Sequence, residues 1–240
     1  MTRLMNGFAR VMFQRETLTP VLALAGVSAV AITLLGTRML LTHSLRHGYL
    51  IWNLFLAWMP LFFCLAAVRL TRANPQLPRW KFWVLATAWL MFLPNAPYIV
   101  TDLIHLGPRS HGHFWVDLVL IMLCAWTALV LGFLSLYIMQ RMVSQRVSAL
   151  AGWGFVVVVS GLTGVGIYIG RFLRWNSWDV LVNPLGVASD ILLWAMRSLG
   201  DKKLAIYPAL FALLFFAAHV TLSALLHLRL QPVENEPDRS

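Results

Sequence analysis

Apolar residues in this chain come in long blocks separated by short polar stretches. The blocks fall at about 20–41, 49–69, 81–104, 114–139, 149–170 and 204–228, each near the roughly 20 residues that a helix needs to cross a hydrocarbon core. The pattern predicts an all-α fold, a polytopic transmembrane bundle of about six spans with a proline-broken third helix. Thr19 before Pro20 marks the first start, a capping hydroxyl followed by proline at the first helical position. Residues 1–19 read as a cytoplasmic N-terminal segment, 20–228 as a single transmembrane domain and 229–240 as a disordered tail. No internal repeat is evident, which counts against transporters built from inverted halves.

The third block is interrupted. Counting from Lys81, Pro94 arrives after 13 residues, about 20 Å of helix, short of a hydrocarbon core of about 30 Å. Pro94 and Pro97 lack N–H groups and restrict the residues before them, so a helix cannot pass undisturbed. Irregular backbone at membrane depth has to be buried in protein or line a wet cavity. The freed carbonyls and Asn95 are therefore expected to face a pocket. Beyond the break, Tyr98, Thr101, Asp102 and His105 follow i, i+3, i+4, i+7 spacing and share one face of a continuing α-helix.

The other blocks carry fewer polar groups. Asn53 in the second block is more naturally a hydrogen bond to a neighbouring helix than a ligand contact, and Pro60 predicts a kink near Ala57. The fourth opens with Asp117, suited to a helix N-terminus, and carries Cys124, Ala128 and Gly132 as a stripe of small residues. The fifth has Gly166 and Gly170 in GxxxG spacing and runs into Arg171, Arg174, Trp175, Asn176, Trp178 and Asp179. If that helix continues, Tyr168, Arg171, Arg174 and Trp175 share a face. The cluster suits either an interfacial belt with snorkelling arginines or recognition of an anionic group. Residues 183–200, too short to span, predict an interfacial or re-entrant helix before the last span.

Composition narrows the class. With 60% hydrophobic and 12% charged residues, a soluble globular domain is excluded. The formal charge of +10 does not point to nucleic acid, because the basic residues are scattered between apolar runs as in orienting loops. Their distribution favours a cytoplasmic N-terminus by a small margin. Cys64 and Cys124 lie inside apolar runs and read as packing residues. No phosphate-loop or dinucleotide fingerprint is present, and no cofactor is expected. His105, His111 and His113 with Asp102 and Asp117 have no diagnostic metal spacing, and no metal site is assigned.

Parity adds a spatial expectation. The connections after spans one, three and five share one membrane face whichever way the chain inserts. Asn95, Tyr98, Asp102, His105, Asp117, Arg171, Arg174 and Asp179 are thus expected to converge on one pocket near the extracytoplasmic surface.

Two long motifs carry a resemblance: FLPNAPYIVTDLIHL at 92–106, with WVDL at 115–118, and GRFLRWNSWD at 170–179. Together with NLFLAWMPL at 53–61, they resemble the bacterial membrane-protein family catalogued as domain of unknown function 1361, over roughly residues 49–228. The resemblance implies a multi-pass protein of the bacterial inner (plasma) membrane with no settled activity. It marks Asn53, Pro94, Asn95, Pro97, Tyr98, Asp102, His105, Asp117, Arg171, Arg174, Asn176 and Asp179 as motif residues.

Three functions compete. One is a binder or enzyme for an anionic lipid or lipid-linked phosphate. In it, Asn95, Tyr98, Arg171, Arg174, Asn176 and Asp179 contact the substrate, Asp102 or His105 moves a proton and Asp117 orients the imidazole. The second is a proton- or ion-coupled permease using carbonyls freed at the helix break. The third is a structural or assembly partner whose buried charges simply pair. Expected partners are membrane lipids and a second copy or another membrane protein, with no nucleic acid.

Overall fold

The computed structural model describes residues 15–73, 78–106 and 113–226. The 229–240 tail, residues 1–14 and His111 lie outside the described residues. All described elements are helical: α1 (Arg15–Thr42), α2 (Tyr49–Ala73), α3 (Arg79–Phe92), α4 (Asn95–Tyr98), a 3₁₀ helix (Ile99–His105), α5 (Phe114–Arg146), α6 (Ala149–Arg171), α7 (Asp179–Val182), α8 (Pro184–Gly200) and α9 (Lys203–Leu226). Among the described residues six stretches are long and apolar enough to cross a membrane: Leu18–Thr42, Tyr49–Arg72, Trp80–His105, Phe114–Arg146, Ala149–Arg171 and Lys203–Leu226. The third is composite, formed by α3, α4 and the 3₁₀ helix.

α5 is the central helix. Its first half, from Leu120 to Leu131, packs with α1, α2, α4 and the 3₁₀ helix; its second half, from Phe133 to Met139, packs with Trp89 and Leu93 of the third span, Val156 and Val159 of α6 and Phe215 of α9. Lipid tails are as apolar as leucine, so helices here associate through close packing and interhelical hydrogen bonds. Trp58 Nε1 donates to Ser28 Oγ at 3.1 Å, Trp89 Nε1 to Ser135 Oγ at 3.2 Å, and His219 Nε2 lies 2.8 Å from Gln140 Oε1. α2 runs through Pro60 as one helix. Cys64 and Cys124 are free and buried in the packing.

Small residues admit the broken third span. A Cβ on Gly166 would overlap the Pro94 ring, and one on Gly132 would meet the Ala96 Cβ at 2.7 Å. The break itself is tighter than the sequence pattern predicts. Pro94 keeps helical angles, φ −59° and ψ −23°, and the chain stays wound through Leu93 N→Trp89 O (2.9 Å), Ala96 N→Leu93 O (3.1 Å) and Tyr98 N→Pro94 O (3.1 Å). After Tyr98 the winding tightens to 3₁₀, with three residues per turn. The expected four-residue face is therefore split. Asp102 and His105 align over Ile99, while Thr101 turns back and donates to the Tyr98 carbonyl at 2.6 Å.

α6 ends at Arg171, so the expected common face of Tyr168, Arg171, Arg174 and Trp175 does not form. Arg174 lies outside the helix with φ 62°, a left-handed conformation uncommon for residues other than glycine. Tyr168 instead stacks on Phe172 and packs against Trp194 of α8. α8 begins with Asn183 accepting from Gly186 N at 3.1 Å and Pro184 at its first turn.

Candidate functional site

One end of the bundle gathers the α1–α2 connection, the 3₁₀ helix, the start of α5 and the segment after α6. Two buried carboxylates anchor it. Asp102 accepts a 2.9 Å hydrogen bond from Asn53 Nδ2 on one oxygen. Its other oxygen faces Arg171 Nη1 at 3.4 Å and His105 Nε2 at 3.8 Å. The Arg171 guanidinium also donates to the Thr101 carbonyl at 3.3 Å, lies 3.4 Å from His105 Nε2 and sits 5.9 Å over the Tyr98 ring. Arg46, from the α1–α2 connection, donates to the His105 carbonyl at 3.3 Å. The Arg171 side chain remains 20% exposed and that of His105 46%, against 2% for Asp102.

Asp117 sits in a separate cluster. Arg38 of α1 forks onto it, Nε to Oδ1 at 2.7 Å and Nη2 to Oδ2 at 2.9 Å, and His47 Nε2 lies 3.2 Å from Oδ2. The expected role of orienting His105 is thus not what Asp117 does here: Arg38 and His47 occupy its carboxylate. His47 lies in the connection outside the spans, and its pKa is held below the usual histidine value. Burial is the main cause, Asp117 opposes it, and Arg38 and Arg46 assist. Tyr49 stands between the clusters. Its ring centroid is 6.2 Å from that of His47 and 5.5 Å from that of His105, and its buried hydroxyl has no partner among the described residues.

Beside Asp102 lies a cavity of about 430 Å³ between α2, the third span, α6 and the segment running into α8. Its volume falls in the range of small-molecule sites. Leu56, Leu90, Leu162, Val165 and Ile191 make its walls mostly apolar, while Asn53, Asn95, Tyr98, Asn176 and Ser177 supply polar atoms. Asn53 and Tyr98 belong to both cavity and ion cluster. At the break, Asn95 Nδ2 donates to Phe92 O at 2.9 Å and Ser177 Oγ at 3.0 Å, and Ser177 Oγ donates to Met91 O at 3.2 Å. These two side chains occupy the carbonyls of Met91 and Phe92, which were expected to be free for ions.

The remaining motif residues shape the loop. Asp179 accepts from Asn176 N at 2.6 Å and from Asn176 Nδ2 at 3.1 Å, closing the turn into α7. Trp175 Nε1 donates to Asp190 Oδ2 at 2.8 Å and so ties α8, whose Val187 and Ile191 face the cavity, to the end of α6. Arg174 is exposed, and among the described residues no hydrogen bond or ion pair reaches its guanidinium. Among the described residues no group of three or more metal-ligating side chains is arranged to hold an ion.

Sequence reasoning brought together Asn95, Tyr98, Asp102, His105 and Arg171, and missed Arg38, Arg46, His47 and Tyr49. A signal was available. An arginine inside an apolar span is costly and needs a partner, and the first connection shares the parity of the other two.

The fold and this end of the bundle define a multi-pass helical membrane protein with two buried carboxylate clusters, that of Asp102 beside a cavity and that of Asp117 apart from it. Residues 52–224 match the family model described as "Protein of unknown function (DUF1361)", and the chain belongs to that family. Neither the curated proteins nor the solved structures contain a match to it.

Proposed function

We propose that the chain binds an anionic lipid or lipid-linked phosphate, with the apolar part in the cavity and the phosphate against Arg171, Arg174 and Arg46. The observation that carries this reading is the shared wall: Asn53 and Tyr98 line an apolar cavity of about 430 Å³ and also touch the Asp102–Arg171 cluster. Arg171 is loosely held, at 3.4 Å from a single carboxylate oxygen, so a phosphate can compete for its fork. Arg174 is unengaged among the described residues. If the bound lipid is also turned over, His105 is the candidate proton carrier. When Nε2 accepts from Arg171 the ring is neutral with its proton on Nδ1, and Asp102 is placed to stabilise a charged ring. Asn176 and Asp179 hold the loop, and Asp117 holds the α1–α2 connection.

The reading places this end at the extracytoplasmic surface of a bacterial inner membrane, with the N-terminus cytoplasmic. Lys and Arg lie at both ends, Arg69, Arg72, Arg141 and Arg146 at the far one and Arg46, Arg171, Arg174, Lys202 and Lys203 at this one, so the positive-inside rule favours this orientation by a small margin. A membrane-impermeant maleimide should label Ser44→Cys from outside whole cells; labelling only after permeabilisation reverses the orientation.

The deciding experiment is mass spectrometry of lipids that co-purify with wild type and with the Arg171→Ala, Arg174→Ala double variant, both checked for folding. A phosphorylated lipid specific to wild type supports the proposal. Identical lipid profiles favour the assembly-partner reading, to which the Asp102–Arg171 pair itself lends support, since ion pairs also serve purely structural ends.

A further inference from the structure

A second cavity, of about 360 Å³, opens at the opposite end of the bundle between the C-terminal turns of α2 and α5. Arg72, Arg141 and Arg146 line it, with Thr71, Tyr137 and Gln145 as neutral hydrogen-bonding groups and Leu65, Val68, Ile138 and Met142 as an apolar floor. Two of the guanidiniums lie over aromatic rings, Arg141 at 5.6 Å from the Tyr137 centroid and Arg146 at 5.5 Å from that of Phe82. These contacts limit the directions in which the forks point. Neither 49–101 nor 118–178, the stretches that contribute the cavity walls, contains an aspartate or glutamate. Among the described residues no ion pair involves Arg72, Arg141 or Arg146. A concave site with concentrated positive charge and open donors is suited to an anion with several acceptor oxygens.

Depth identifies the source of that anion. Along α2 the distance from Asn53 to Arg72 is about 29 Å, and along α5 from Asp117 to Arg141 about 36 Å, at 1.5 Å per residue. Those lengths carry the arginines across a hydrocarbon core of about 30 Å and into the opposite headgroup layer. The apolar floor descends from there between α2 and α5 toward the membrane interior. We propose that this cavity binds the phosphate of an anionic phospholipid, with Arg72 and Arg141 gripping it from opposing helices and Arg146 closing the third side.

The proposal is independent of the function assigned to the other end. Its test uses full-length protein in nanodiscs, with native mass spectrometry and thermal unfolding as readouts. Three proteins are compared: wild type, the Arg72→Gln, Arg141→Gln double variant, and Arg197→Gln, which removes an exposed arginine outside both cavities. Nanodiscs of phosphatidylglycerol in phosphatidylcholine are compared with phosphatidylcholine alone, and a further arm adds inorganic phosphate. Wild type and Arg197→Gln are expected to retain phosphatidylglycerol and to melt higher in its presence, and the double variant to lose at least about tenfold in affinity. Thermal unfolding in phosphatidylcholine alone shows whether the double variant is folded. An Arg72→Lys, Arg141→Lys variant, which keeps the charges and loses the forks, serves as a second test if the glutamine variant is not, and is expected to retain less lipid than wild type. Equal retention by wild type and the folded variants overturns the site. Stabilisation by inorganic phosphate equal to that by the lipid overturns the assignment to a membrane lipid.

Discussion

Asp102 and Asp117 occupy the same end of the bundle and are equally buried, each 1% exposed, yet they are built differently. Asp117 is saturated. Arg38 takes both oxygens at 2.7 and 2.9 Å, a fork-to-fork pair across α1 and α5 with His47 closing one side. Asp102 has one firm bond, from the neutral Asn53, and the Arg171 guanidinium and His105 imidazole at 3.4 and 3.8 Å, both themselves partly exposed. A buried carboxylate with tight bidentate contacts has nothing left to offer a ligand. One held loosely, beside a cavity and an arginine with spare donors, can change partners. Burial and charge alone do not distinguish a clamp from a site; the coordination does.

The contrast is open to direct attack. Asp117→Ala leaves Arg38 buried without its partner and is expected to cost about 3–5 kcal/mol, read as a large fall in thermal unfolding temperature in detergent. A fall no greater than that of Asp102→Asn removes the distinction between the clusters. Gly166→Val drives a side chain into the Pro94 ring and is expected to cost about 1–3 kcal/mol while displacing the cavity wall. Unchanged stability with unchanged lipid content shows that the broken helix has room to move.

Asp102→Asn keeps an acceptor for Asn53 and frees an arginine that can reach water, so the expected stability loss is only about 1 kcal/mol. The lipid profile, by contrast, should change, and a profile identical to wild type counts against Asp102 as a site residue. The smallest effect concerns His47. Its folded pKa lies below the ordinary value of 6.5, so above that pH both folded and unfolded forms are neutral and the full stability is present. As pH falls below it the unfolded chain takes up the proton first, and stability declines toward the folded pKa. Unfolding temperature should drop between about pH 7.5 and about pH 5.5, and drop less in His47→Asn.

Much of the site was legible because its signals are local. Pro94 and Pro97 announce a break, Asn95 lies within it, and the polar residues after it occur at short spacing. The glycines of α6 were legible as packing residues, but not as the surface that receives Pro94 and Tyr98, with a Cβ on Gly170 meeting the Tyr98 ring at 3.2 Å. The winding after Tyr98 was misread, because i, i+3, i+4, i+7 spacing assumes 3.6 residues per turn and the chain takes three. The Asp117–Arg38 pair joins residues 79 apart in the chain. No periodicity reports a contact of that kind.

What this sequence determines by itself is set by length and transfer free energy: six apolar stretches of spanning length, a proline break within the third, and polar connections whose parity puts them on one face. These follow from the chain and its solvent. Which arginine meets which aspartate, that Ser177 and Asn95 take the carbonyls of the break, and that the cavity adjoins Asp102 while Asp117 is sealed, were decided only when the helices packed. Those partnerships depend on the rotation and approach of spans distant in sequence, where close packing admits one arrangement of side chains.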